Sequence, residues 1–151
     1  MPHPRRRRRI SVRRSSIHGK GVFAAALIRK GTRIIEYKGR RMSERQADAK
    51  YDSDTSTHTF LFLLDDHVVI DATYGGNSAR WINHSCDPNC EPNEEDGRMY
   101  IDALRNIRSG EELTYDYNLL VDERYTPHLK KRYACGCGAR KCRKTLLGEK
   151  D

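Results

Sequence analysis

The sequence predicts a mainly β, irregular α+β domain followed by a cysteine-rich tail. Three observations predict it. Short apolar stretches recur between glycines and polar turns, at strand rather than helix length. One Ser/Gln capping pattern marks a single helix. Three of the five cysteines crowd into residues 135–142, next to the end of the chain. The chain has 151 residues, the size of one domain.

Residues 1–9 hold Pro2, Pro4 and Arg5 to Arg9 and are expected to be a disordered basic arm, because like charges repel and nothing apolar offsets the cost of order. Apolar stretches at 22–28, 33–37, 59–64, 68–71, 99–103 and 112–115 read as short strands. Asp65-Asp66-His67 reads as a hairpin turn. Ser43 with Gln46 three residues on forms a capping box, so a helix follows through Ala47, Ala49 and Tyr51. Residues 77–82 read as a short helical turn, and the polar stretch 122–132 as a linker or short helix. The domain is expected over 10–118 and the linker with its tail over 119–151.

Composition narrows the function classes. The formal net charge is +8, with 29 basic and 21 acidic residues. Residues 1–14 contribute seven arginines and no acid, leaving 22 bases against 21 acids elsewhere. The remainder is therefore close to neutral, and a general electrostatic binder of nucleic acid describes the arm rather than the whole chain. At 36% hydrophobic and 33% charged residues the chain has limited apolar material, so a ligand or metal is expected to help hold the fold. No apolar run approaches the roughly 20 residues that span a bilayer. A basic start before 22–28 faintly mimics a signal peptide, but the run is short and polar His18-Gly19-Lys20-Gly21 precedes it.

Four segments carry chemistry. Cys135-Gly-Cys137-Gly-Ala-Arg-Lys-Cys142 offers three thiolates to a zinc tetrahedron, with glycines that let the backbone wrap the ion. The alternative is three unrelated thiols. On spacing alone the fourth ligand is open among Cys86, Cys90, His84 and His128. An odd cysteine count and the closeness of Cys135 to Cys137 disfavour a disulfide framework and favour a reducing compartment. Asn83-His84-Ser85-Cys86-Asp87-Pro88-Asn89-Cys90 is either a polar turn or a dense set of directional groups. Tyr115 and Tyr117, at i and i+2, face one side as a core pair or as the lining of a polar channel. His18-Gly19-Lys20-Gly21 before a strand is a weak glycine signal that lacks the third glycine of a dinucleotide site.

Taken in order, HGKGVFA at 18–24, IIEYKG at 34–39, GGNSARWINHSCDPNC at 75–90, GEELTYDY at 110–117 and CGCGARKCRKTL at 135–146 resemble the SET domain of protein-lysine methyltransferases with its post-SET tail. The resemblance is greatest to the trithorax and mixed-lineage-leukaemia type, and it runs from about residue 10 to 147. Without a cysteine-rich segment ahead of the domain, the chain is similar to the compact forms of some bacteria.

The resemblance implies a fold of small curved sheets with a knot-like substructure, in which 80–86 and 113–117 cross. It implies an S-adenosylmethionine site built from Lys20, Gly21, Val22, Arg80, Asn83, His84 and Tyr117, covered by Leu146. Tyr117 would be the catalytic tyrosine, Tyr37 would line the lysine channel, and Tyr115 would set the product state towards monomethylation. Cys86, Cys135, Cys137 and Cys142 would hold a structural zinc, leaving Cys90 free. Phe60 stands where many relatives carry a cofactor-contacting tyrosine.

The expected substrate is a lysine-containing basic protein such as a histone tail. Acidic residues at 48, 52 and 54 and at 91 and 94–96 are candidate surfaces for it. The arginine arm is a candidate contact with nucleic acid or chromatin, and no membrane contact is expected. Intracellular localisation is expected: nuclear or chromatin-bound in a eukaryote, cytoplasmic or delivered to a host nucleus in a bacterium. The competing reading is a non-catalytic, zinc-stabilised module that binds basic tails or nucleic acid.

Overall fold

The computed structural model describes residues 9–17, 19–50, 61–64, 67–117 and 142. They form ten short strands, one helix and one 3-10 turn. The mainly β expectation is met.

Strand β1, Ile10–Arg14, pairs antiparallel with β2, Lys20–Ala24, from Ile10 opposite Ala24 to Arg14 opposite Lys20. Strand β3, Arg33–Glu36, packs on the hairpin of β8, Cys90–Glu95, and β9, Arg98–Ala103, in the order β3-β9-β8. A third sheet has the order β4-β6-β5, from Arg40–Ser43, Val68–Asp71 and Leu61–Leu63. The last pair is parallel: β7, Asn83–His84, against β10, Thr114–Tyr115. Its members lie within the two segments expected to cross.

Local chemistry accounts for several of these elements. Helix α1, Glu44–Lys50, starts at the expected capping box. The Gln46 N–H donates to Ser43 Oγ at 3.1 Å, and the Ser43 N–H donates to Gln46 Oε1 at 2.9 Å. The expected turn at 77–82 is a 3-10 helix, Ser78–Trp81, capped by the Asn77 side chain. The hairpin joining β5 to β6 closes where expected: His67 adopts φ 62°, and the Leu64 N–H donates to Val68 O at 2.8 Å.

The expected run 22–28 is split. Its strand ends at Ala24, and Ile28 makes an isolated bridge to Ile107. Strand 112–115 is likewise shorter: Thr114 and Tyr115 form β10, while Glu112 bridges Phe23. Gly21 lies inside β2 rather than in a turn before it.

Val22, Ile82, Ile101, Ile107 and Leu113 are fully buried and draw the small sheets onto one core. Each such side chain contributes about 1.5–3 kcal/mol relative to exposure. No helix among the described residues is long and apolar enough to cross a membrane. The arm 1–8, Phe60, the stretch 122–132, Cys135, Cys137 and Leu146 lie outside the described residues.

Candidate active site

The site forms where β2, β7 and β10 meet. The Asn83 side chain, on β7, donates from Nδ2 to the Lys20 carbonyl at 3.0 Å and to Glu112 Oε2 at 2.8 Å. Ser15 Oγ donates to the same carboxylate at 2.8 Å. The Leu113 N–H donates to Val22 O at 2.7 Å. A Cβ at Gly21 would collide with the Glu112 carboxylate and lie 3.0 Å from Ser15 Cβ. Glycine is therefore favoured there by close approach, not by backbone angle, as long as the Glu112 carboxylate keeps its place. These bonds bring Lys20, Gly21 and Val22 against Asn83.

Glu112 is the residue that motif reading missed. It lies within GEELTYDY, yet its partners Ser15 and Asn83 are 97 and 29 residues away in sequence. Asn89 was also passed over. Its Nδ2 donates to Glu112 O at 2.8 Å, and its Oδ1 accepts from Thr114 N at 2.9 Å. It fastens the turn after β7 onto the strand that carries the tyrosines.

An aromatic cluster gathers at β10 and the residues just after it. The rings of Tyr37 and Phe62 are 5.2 Å apart, Phe62 and Tyr115 6.0 Å, and Tyr115 and Tyr117 4.8 Å. Tyr37 and Tyr115 are buried and Tyr117 is half-buried. Phe62, half-buried between Tyr37 and Tyr115, had read only as strand. Burial pushes all three phenols above their usual range, with neighbouring negative charge adding to it, from Glu112 at Tyr117. All three stay protonated at neutral pH. The Tyr117 hydroxyl donates to the Ile82 carbonyl, so it offers lone pairs, not a proton, to anything that enters.

His84 joins this cluster to Cys86. The Tyr117 N–H donates to His84 Nδ1 at 3.0 Å, and His84 Nε2 lies 3.2 Å from Cys86 Sγ. Asp116 Oδ1 also lies 3.6 Å from Nδ1. In the tautomer where Nδ1 accepts, the proton on Nε2 points at the sulfur. That polarity stabilises a thiolate, the form in which cysteine binds zinc. Cys86 thus fits a metal ligand. Cys142 is half-buried, and the other two expected ligands lie outside the described residues. Cys90 is buried and its thiol is pushed up to about 12 by burial, which suits an inert core group.

Two of the buried, unpartnered polar atoms belong to residues expected in the site. Tyr37 Oη and Arg80 Nε have no hydrogen-bond partner among the described residues. Such atoms are costly unless a ligand satisfies them. Arg80 otherwise reaches Ala72 O through Nη1 at 3.4 Å and stacks 4.6 Å from the Trp81 ring. Lys20 Nζ approaches the same ring at 5.1 Å. Two unsatisfied polar atoms, aromatic walls and a clamped backbone segment fit a ligand with both apolar rings and charged ends, as S-adenosylmethionine has.

Comparison with known proteins supplies the family. The family model described as the SET domain matches residues 19–118. The chain is 40% identical over 144 residues to histone-lysine N-methyltransferase trithorax of Drosophila virilis, covering 91% of this chain and 4% of that protein. It is 40% identical over 144 residues to histone-lysine N-methyltransferase 2B of Homo sapiens, covering 91% and 5%. It is 39% identical over 148 residues to histone-lysine N-methyltransferase set1 of Dictyostelium discoideum, covering 93% and 10%. The chain thus spans a tenth or less of the length of these relatives. The matched family model, the small sheets and the parallel pairing of β7 with β10 together place this chain in the SET-domain family.

Proposed function

We propose that the chain is an S-adenosylmethionine-dependent protein-lysine N-methyltransferase, mainly monomethylating, that acts on a histone or another basic protein. The observation that carries this reading is the buried Tyr37–Tyr115–Tyr117 cluster beside the Asn83–Lys20–Glu112 clamp. A lysine amine near its ordinary pKa of about 10.4 is charged and cannot attack a methyl group. A dry, aromatic-walled channel beside a cationic cofactor favours the neutral amine.

The cofactor, when bound, supplies an electrophilic sulfonium methyl. Asn83, His84, Arg80 and the backbone of Lys20, Gly21 and Val22 would hold it, with Leu146 closing over it. The Tyr117 hydroxyl, with its proton engaged at Ile82 O, would accept a hydrogen bond from the incoming amine and fix its direction. Tyr37 Oη, without a partner among the described residues, would hold the amine or a water beside it. None of the three phenols is a base at neutral pH, so the lysine proton leaves to water. Orientation and exclusion of solvent then supply most of the rate. Cys86, Cys135, Cys137 and Cys142 would hold a structural zinc that fastens the tail 119–151 against the domain 10–118. Where the protein works follows from its substrate: nucleus or chromatin for a histone, cytoplasm for a bacterial basic protein.

The test is labelled methyl transfer from S-adenosylmethionine to a panel of histones and other basic proteins, followed by site mapping. The expected result is label on lysine; label on another residue type, or none on any basic protein, rejects the reading. Product state is tested separately. Tyr115→Phe removes a hydroxyl from the channel wall and is expected to raise the dimethyl and trimethyl products. Unchanged mass spectra would reject the role given to Tyr115.

A further inference from the structure

The isolated bridge between Ile28 and Ile107 joins two loops, 25–31 and 104–110, back to back. The Ile28 N–H donates to Ile107 O at 2.8 Å, and the Ile107 N–H donates to Ile28 O at 2.7 Å. The Lys30 N–H donates to Asn106 Oδ1 at 2.9 Å, and Ser109 Oγ donates to Ala25 O at 3.2 Å. The Ala25 N–H donates to Arg9 O at 2.8 Å, which fixes the base of the arginine arm to the same loops. The two loops contain Arg29, Lys30, Arg105 and Arg108 and no acidic residue. These four side chains and Arg9 are exposed. Glu111 pairs with Arg105 at 3.0 Å. The acidic residues Glu91, Glu94, Glu95 and Asp96 lie along β8 and its turn, which run away from Leu104.

We propose that loops 25–31 and 104–110, with Arg9, form a fixed basic platform that binds the phosphate backbone of duplex nucleic acid. The platform holds five basic residues, of which four are arginine. The guanidinium matches phosphate oxygens in bidentate fashion, which a lysine ammonium cannot. Tight backbone bonding at the loop bases means that little conformational freedom is lost on binding. The platform lies at the Ala24 end of strand β2 and the proposed cofactor segment at its Lys20 end, four residue steps or about 13 Å away. A duplex on the platform would hold the domain beside nucleoprotein. The exposed side chains of Leu27 and Leu104 lie in the same loops, which makes an acidic protein the rival occupant.

The test uses the full chain and a triple variant, Arg29→Ala, Lys30→Ala and Arg108→Ala, titrated with short DNA duplexes of unrelated sequence, an RNA duplex and polyglutamate. Each phosphate contact contributes about 0.9 to the slope of log affinity against log salt for DNA. The triple variant is expected to lower that slope by up to about 2.7, equally on all DNA sequences. Methyl transfer to a free peptide is expected to be unchanged, which reports that the fold survives. A matching loss on the RNA duplex assigns the platform to any duplex backbone; retained RNA binding restricts it to DNA. An unchanged duplex slope overturns the proposal, as does a loss confined to polyglutamate. Should the triple variant fail to fold, Arg29→Gln and Arg108→Gln, made singly, are each expected to lower the slope by about 0.9, and an unchanged slope in both overturns it. Binding is read without catalysis, so failure here is separate from failure of the enzymatic reading.

Discussion

Glu112 ties together three segments that are distant in the chain: Ser15, the β2 backbone at Gly21, and Asn83. It is a positioning residue, since it acts through Asn83 rather than on a reacting atom. Glu112→Ala leaves Asn83 Nδ2 and Ser15 Oγ short of an acceptor in a half-buried site. The expected effect is a rise in KM for the cofactor of about tenfold, equivalent to about 1.4 kcal/mol, with a smaller change in kcat. Glu112→Gln keeps one acceptor oxygen and is expected to recover part of that loss. Equal KM values for the wild type and Glu112→Ala would contradict the clamp.

The buried tyrosines give a second prediction at this scale. In the unfolded chain Tyr37, Tyr115 and Tyr117 ionise near pH 10. In the folded protein burial holds them above that. Above about pH 10 the unfolded state therefore binds fewer protons, and stability falls as pH rises. Phenolate absorbance is expected to show at least three of the eight tyrosines titrating only with unfolding. The tyrosines were legible as a pair because i and i+2 face one side of an extended segment; their rings lie 4.8 Å apart although β10 itself ends at Tyr115. Glu112 was not legible, because a carboxylate beside a motif has no local signature when its partners are supplied by folding.

Among the elements, legibility followed locality. The capping box of α1 was readable because Ser43 and Gln46 satisfy each other within one turn. The hairpin between β5 and β6 was readable because both strands are apolar and short. Strand β8 was not: Cys90-Glu91-Pro92-Asn93-Glu94-Glu95 is polar, carries a proline, and holds its place as the edge of its sheet. Strand β1 escaped for a like reason, since Val12, Arg13 and Arg14 are exposed. Its order comes from pairing with β2, not from burial of its own face. In β2 the glycine at 21 looked like punctuation and is instead a packing requirement. Gly21→Ala is expected to destabilise the fold by about 1–3 kcal/mol through overpacking against Glu112 and Ser15, read as a lower urea midpoint. An unchanged midpoint would mean that the carboxylate moves aside freely.

At the scale of the molecule, the chain divides its charge and its chemistry. The acidic residues of hairpin β8–β9 and the basic loops 25–31 and 104–110 lie at different places. The fold class was legible because five motifs fall in a fixed order. The tail was legible only as zinc chemistry. Its fourth ligand stayed open on spacing alone, since Cys86, the residue proposed for that place, stands 49 residues before Cys135.

Zinc and activity are expected to be coupled, because Cys86 bonds to His84 and His84 bonds to the Tyr117 backbone. Stripping the metal with a chelator is expected to abolish methyl transfer while far-ultraviolet dichroism retains most of its β signal. Full activity in a metal-free preparation would contradict this coupling.

The role proposed for Tyr117 is to direct a lysine amine onto a methyl group beside the tyrosine cluster. Single-turnover transfer of labelled methyl from S-adenosylmethionine to a histone substrate, with wild type and Tyr117→Phe at matched cofactor occupancy, tests it most directly. The expected result is rapid label on lysine with the wild type and a loss of about 10²-fold or more in the variant, the scale that misplacement of a reacting group produces. Equal rates for the two proteins would contradict it.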